Sequence, residues 1–227
     1  NLVAQAVMFT KTPMMIVPFG SANGMAAELG IPARNFNRSF ELLRTGEMRQ
    51  IDLLEINNRF YGMHISDMGF NAKLIERFEK EKIRGISRYV RHFFSEVFNS
   101  KAYRLRLKVD SEKVIRRKAH MVSFANARRY GTGALANPNG RPDDGRFEVC
   151  LFKHISFRSF INLFWNFFLG NLTRSRYAEF FSCQKLLLYN KKAQMLQVDG
   201  ELMGKFQKIK VIILPRCVRI LAPSSPG

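Results

Sequence analysis

The sequence predicts an α+β fold in two parts: a partial α/β region over residues 1–45 and an antiparallel, strand-rich region over 46–222. Three observations carry this. The apolar run Met14-Met15-Ile16-Val17 leads into the turn Pro18-Phe19-Gly20-Ser21-Ala22-Asn23-Gly24, then into a short helical stretch from Met25 to Leu29. Near Gly46 the pattern changes, and β-type runs dominate to the end. Among them Tyr103, Leu105, Leu107 and Val109 alternate with Arg104, Arg106 and Lys108, the period of a half-buried strand.

The elements follow in order. Leu2 to Met8 reads as the end of a helix. Strand, glycine turn and helix over Met14 to Leu29 have the layout of a nucleotide-binding layer, and Gly30 with Pro32 beyond it stops that helix. A second helix is expected over Ala33 to Leu43, with Phe36, Phe40 and Leu43 on one face. Arg49 to Ile56 and Arg59 to Ser66 read as strands joined by a turn at Asn57-Asn58. Phe70 to Asn99 is helical and basic. After Tyr103 to Val109, the turn Asp110-Ser111-Glu112 sends the chain back as a strand over Val114 to Ala125. Phe147 to Phe152, Leu186 to Asn190, Gln194 to Val198 and Lys208 to Leu214 are further strands, and Ile155 to Leu169 is a helix. Many short strands with helical insertions fit an antiparallel sandwich or barrel. The tail, residues 223–227, is expected to be disordered.

Charge narrows the partners. The 227 residues hold 37 Lys and Arg against 18 Asp and Glu, a net charge of +19. That excess favours an anionic partner: nucleic acid, nucleotide phosphates or an acidic membrane surface, the bland alternative being a solvated basic face. No zinc ligands, RNP-type aromatic motif or recognition helix occur, so nucleic acid is not expected. No run of about 18 apolar residues suits a membrane-spanning helix. Asn1 to Gln5 does not read as a signal peptide, lacking a basic stretch before its apolar residues. Cys150, Cys183 and Cys217 lie far apart among apolar neighbours, which suggests reduced thiols and a cytoplasmic protein. His64, His92, His120 and His154 have no metal-site spacing and are given no role.

Four motifs carry candidate chemistry, each with a plainer reading beside it. In Pro18–Gly24 a glycine turn after a buried strand lets backbone N–H groups approach phosphate, and Ser21 and Asn23 add hydrogen-bonding side chains; the plainer reading is a strand-to-helix turn. Asp199-Gly200-Glu201 sets two carboxylates on a glycine bend. One can take a proton from an attacking hydroxyl and the other can help hold Mg2+; the plainer reading is an Asp-Gly hairpin turn. Asn126, Tyr130-Gly131-Thr132-Gly133, Pro138 and Asp143-Asp144-Gly145 outline a loop in which Asp144 could meet a divalent cation, or an ordinary surface loop. Phe157, Phe160, Ile161, Phe164, Phe167 and Phe168 recur at helical spacing. They read as a helix packed on the sheet, with an acyl-chain or membrane contact as the alternative.

Each signal is weak alone, but their order is specific. The turn Pro18–Gly24, Ile51-Asp52 before a hairpin, Ser66-Asp67-Met68-Gly69-Phe70-Asn71, the Asn126 to Gly133 loop, Asp143-Asp144-Gly145 and Val198-Asp199-Gly200-Glu201 together resemble the diacylglycerol kinase catalytic family, which includes sphingosine and ceramide kinases. The resemblance runs from residue 1 to about 222. It implies a nucleotide-binding α/β domain, here partial, followed by a β-sandwich, with the active site between them. It implies ATP and Mg2+ as cofactors and a membrane lipid as substrate. Gly20, Ser21 and Asn23 match the family's second nucleotide motif, and Asp52 matches a carboxylate near its Mg–ATP network. Asp199 matches the general base, Glu201 its partner near Mg2+, and Asp144 a loop aspartate that binds a structural Mg2+ in some bacterial members.

Two departures qualify this. Where many members carry Asp after the motif Asn, this chain has Gly24, one carboxylate fewer. The family's Gly-Gly-Asp-Gly-Thr loop is expected directly ahead of Asn1 and is not in these residues. The expectation is therefore an ATP-dependent lipid kinase, cytoplasmic and peripherally associated with an anionic membrane surface, with this chain alone short of part of its ATP site. The rival is a non-catalytic lipid- or membrane-binding module.

Overall fold

A computed structural model describes residues 1–20, 23–32, 35–69, 101–110, 113–128, 140–153 and 175–224. Ser21, the segment 70–100, the glycine loop 130–133 with Pro138, the aromatic stretch 157–168 and the tail beyond Ser224 lie outside the described residues. Three helices, α1 (Leu2–Val7), α2 (Gly24–Glu28) and α3 (Phe36–Thr45), and the strand β1 (Pro13–Met15) form the first part. The strands β2 (Glu47–Ile56), β3 (Phe60–Gly62), β4 (Ile65–Gly69), β5 (Tyr103–Val109), β6 (Ile115–Ala119), β7 (Met121–Ala125), β8 (Phe147–Phe152), β9 (Ala178–Cys183), β10 (Lys185–Val198) and β11 (Glu201–Ala222) follow among the described residues. Among the described residues no helix is long and apolar enough to cross a membrane.

The strands run in the order β3-β2-β11-β10-β4-β7-β8-β9, with β5 on β10, β6 on β5, and β1 added parallel to β11. The long strand β10 makes this a sandwich. Its first half pairs with β5, from Leu186 opposite Val109 to Asn190 opposite Leu105. Its second half pairs with β4, from Leu196 opposite Met68 to Val198 opposite Ser66. Two layers therefore diverge from one strand. Leu105, Leu107 and Ala119 of one layer pack with Val122, Phe124, Val149 and Leu151 of the other. At the open edge Arg117 of β6 makes 3.0 Å bonds through Nε to both oxygens of Glu179 on β9, and Lys153 Nζ lies 2.6 Å from the same carboxylate. Burial pushes the Glu179 carboxyl up, but these two cations outweigh it and hold it below 4.5.

A second core joins the two parts. Ala4, Met25, Ala26, Leu29, Ile31 and Leu42 pack on Ile51, Leu53, Val218 and Ile220. Strand β2 serves both cores, since Leu53 faces this one and its neighbour Leu54 faces the sandwich interior. That is why Ile51, Asp52, Leu53 and Leu54 are all fully buried: a strand covered on both faces keeps no polar side.

Several local expectations change. The helix over 33–43 begins at Phe36 and turns differently about its axis: Ser39 and Leu42 are buried, while Phe36, Phe40 and Leu43 are exposed. The strand expected over Val114–Ala125 is two strands broken at His120, so β6 joins one layer and β7 the other. The two strands expected over 186–198 are one, irregular between Tyr189 and Gln194. The turn at Asn57-Asn58 has both residues at positive φ, 54° and 55°, the geometry of a tight hairpin turn.

Candidate active site

Asp199 and Gly200 form the two-residue turn between β10 and β11, with Val198 opposite Glu201. Both have positive φ, 48° and 96°, as a type I′ turn requires, and Asp-Gly is suited to it. The turn does more than reverse the chain. Asp199 Oδ2 accepts a 2.7 Å hydrogen bond from the Met63 amide, and Oδ1 accepts one of 3.0 Å from the His64 amide, at the corner between β3 and β4. Beneath it, the Gly200 amide donates to Gln197 Oε1 at 2.6 Å, and Gln197 Nε2 donates to Asp67 Oδ2 at 2.6 Å. Burial raises the Asp199 carboxyl above its ordinary 3.8, against the opposing pull of the Met63 amide and of the His64 ring and amide. Glu201, two residues on, is exposed.

The glycine turn reaches this corner through α2. Asn23 closes the turn on itself: its Oδ1 accepts from the Gly20 amide at 3.0 Å, and its Nδ2 donates to the Gly20 carbonyl at 2.8 Å. Glu28 at the end of α2 is buried, and its carboxylate accepts from the Arg128 amide at 3.0 Å and from Arg128 Nε at 2.7 Å. At the start of α2, a Cβ on Gly24 would overlap the imidazole of His64. His64 therefore occupies the space that a side chain at position 24 would need. Gly24→Asp is expected to force the ring aside and to destabilise the fold by about 1–3 kcal/mol, the usual range for overpacking. In Gly24→Asp/His64→Ala much of that loss should return; urea denaturation of the four members of the cycle measures the coupling.

Asp52 lies deeper, with no exposed surface. Its Oδ1 accepts from the Arg216 amide and its Oδ2 from the Gly145 amide, both at 2.7 Å, and its own amide donates to the Pro142 carbonyl. Burial pushes its carboxyl above 3.8; the Arg216 and Gly145 amides pull it back, and the charges of Asp144 and Asp143 push it up again. Asn126 Nδ2 links this point to the Asp199 corner, donating to the carbonyls of Asp52 and Met63 at 2.8 and 3.0 Å. Asp144 is exposed, and its Oδ1 accepts from the Arg146 amide at 2.9 Å. Asp143 lines an open cleft of about 460 Å³ with Met48, Gln50, Arg216 and Arg219, which Asp199 does not line.

Among the described residues no three His, Cys, Asp or Glu side chains converge as a metal cluster. Mg2+ held against nucleotide phosphates needs only one or two carboxylates, the rest being water and phosphate oxygen, so the exposed Glu201 fits that ion in donor type. Asp144 offers a single carboxylate. The cysteines are buried and unbridged, and burial pushes the Cys183 thiol up to about 12, away from the reactive thiolate form.

Comparison with known proteins bears on this arrangement. Residues 65–222, well over half of the chain, match the YegS C-terminal NAD kinase beta sandwich-like domain, and residues 1–56 match the diacylglycerol kinase catalytic domain. The chain belongs to the diacylglycerol kinase-like family. This family member is 26% identical over 172 residues to a diacylglycerol kinase of Mycobacterium tuberculosis, across 73% of its own length and 55% of the relative's. It thus spans little more than half of that curated relative. Its fold is similar to the crystal structure of a diacylglycerol kinase from Bacillus anthracis str. Sterne, with TM-score 0.71 at 13% identity over 96% of this chain and 70% of the other. It is also similar to yeast NADH kinase complexed with NADH, with TM-score 0.54 at 12% identity over 99% and 59%.

Within this family member the structure brings Asp199, the Met63–His64 corner and the start of α2 together, and joins Asp52 to that corner through Asn126. Asp144 sits in the turn whose Gly145 amide donates to Asp52. Sequence reasoning set His64 aside because it was weighed only as a metal ligand; its position against Gly24 had no signal in the spacing. Glu28, Arg128 and Gln197 were equally silent.

Proposed function

We propose that this chain carries the acceptor side of an ATP-dependent lipid kinase, acting on a hydroxyl of a diacylglycerol- or sphingosine-like membrane lipid. The observation that carries the reading is Asp199: a half-buried carboxylate of raised pKa, held by two amides where the glycine turn's helix meets the sandwich. The acceptor hydroxyl oxygen attacks the γ-phosphorus of ATP, the bond from that phosphorus to ADP breaks, and the hydroxyl proton passes to Asp199. Met63 and His64 fix the carboxylate by their amides, and Gln197 fixes the turn that bears it. Gly20 and Asn23 shape the phosphate-side turn, and Ser21, between them in sequence, is the further candidate for phosphate. Glu201 would help hold Mg2+, which would supply neutralisation of the phosphate charge, leaving Asp199 to take the proton. Asp52 supports both sides from beneath, and Asp144 is the candidate for a separate structural Mg2+. The net charge of +19 suits work at an anionic membrane surface from the cytoplasmic side.

The test is phosphoryl transfer from labelled ATP by the full-length protein, with Mg2+ and a panel of diacylglycerol, sphingosine and NADH. A labelled lipid is the expected product. Labelled NADH would replace the lipid by a dinucleotide acceptor, a reading that the likeness to the yeast enzyme makes worth including. Absence of ATP binding would leave a non-catalytic module.

A further inference from the structure

The outer face of β6, β5, β10 and β11 carries cations in hydrogen-bonded rows. Arg116 lies opposite Arg106, Arg106 opposite Tyr189, and Tyr189 opposite Lys208. In the next row Lys108 lies opposite Leu187, and Leu187 opposite Lys210. Lys118 lies opposite Arg104, and Lys185 closes the patch opposite Ile212. The alternate residues of these strands, Leu105, Leu107, Leu186, Leu188, Ile209 and Val211, are buried in the sandwich, so the cations share the other face. All but the half-buried Lys210 are exposed, and on these four strands none of the paired positions in these rows holds Asp or Glu; Glu55 on β2, opposite Ile212, borders them.

This arrangement works against the fold's own stability. Like charges directly opposite on neighbouring strands repel, and here Arg104 with Lys118 and Arg106 with Arg116 are two such pairs on one hairpin. By contrast Arg117, on the inner side of the same strand, has its carboxylate in Glu179. At the centre Tyr189 is 41% exposed with the Arg106 guanidinium 5.6 Å from its ring centre, and Leu187 is beside it. Tyrosine with basic residues on a broad surface is the chemistry of a bilayer's headgroup zone.

We propose that this four-strand face docks on an anionic bilayer, the lipid phosphates supplying the negative charge that the protein omits. The proposal deepens the lipid kinase reading and rests on it only for choosing a bilayer over another polyanion. The closing experiment is cosedimentation of the full chain, without nucleotide, with phosphatidylglycerol-containing or pure phosphatidylcholine vesicles. Arg104→Glu/Arg106→Glu sets carboxylates opposite Lys118 and Arg116, so the hairpin gains two attractive pairs and its folding is preserved or improved. Its partitioning onto phosphatidylglycerol vesicles should fall about a hundredfold. Arg38→Glu/Arg44→Glu, the same change in net charge on α3, should leave partitioning near wild type. Equal losses in both variants would overturn the proposal, since they would report net charge alone. So would equal binding to phosphatidylcholine, or wild-type binding to duplex DNA that vesicles do not compete away. Turnover on a detergent-dispersed acceptor separates the two readings: a protein that phosphorylates it but ignores vesicles loses the docking face and keeps the kinase.

Discussion

Asp199→Asn is expected to lower kcat for lipid phosphorylation by about 10²–10⁴-fold, the usual worth of a positioned general base. The substitution keeps one oxygen acceptor for the Met63 and His64 amides, which the carboxylate now serves through both oxygens. The other amide then meets an NH2 group, so the turn loosens but does not empty. Loss of turnover with ATP affinity retained would mark a role in the chemical step. Unchanged turnover would remove Asp199 from the mechanism. The wild-type pH profile gives an independent check. Burial raises the Asp199 carboxyl, and a base works only when deprotonated. Activity should therefore be lost as pH falls through a value above the ordinary 3.8, and this acid limb should vanish from the residual rate of the Asn variant.

The sequence made some of this legible and hid the rest for physical reasons. Strand β5 was readable because one of its faces is wet: Arg104, Arg106 and Lys108 alternate with buried leucines. Strand β9 was missed because Ala178 to Cys183 shows no clean alternation, its middle residues being half-buried on both sides. Strands β10 and β11 were cut short at Lys191-Lys192 and at Pro215-Arg216. Those are polar or proline interruptions that the backbone passes through as irregularities without ending the strand. The break in β11 exists because Asp52 receives the Arg216 amide, a partner 164 positions away. The same limit governs the site. Asp199-Gly200 announces a turn by local preference alone, but its carboxylate acts through amides 135 and 136 positions earlier. Gly24 looked like a lost carboxylate in sequence. In the structure it is the space into which His64 packs, a pairing that only folding reveals.

Asp52→Ala is expected to destabilise the fold. Asp52 is fully buried on β2 and ties down two points that the β2–β11 ladder leaves unpaired: the turn ending at Gly145, and the interruption of β11 at Arg216. Alanine leaves the Gly145 and Arg216 amides without their acceptor. A fully buried donor stripped of its partner costs about 1–3 kcal/mol; Gly145 is half-buried and Arg216 exposed, so water takes up part of the loss and about 1–3 kcal/mol is expected for the two together. The sign of its pH dependence follows from the raised pKa. Relative to the unfolded chain, the folded protein favours the protonated carboxyl. The group's contribution is then fully present below 3.8 and declines as pH rises through the folded value. The stability gap between wild type and Asp52→Ala, read from urea midpoints at a series of pH values, should narrow as pH rises through that range. A gap near zero at every pH would mean that the amides find water or another acceptor, and that Asp52 does not tie the Gly145 turn and the β11 interruption to β2.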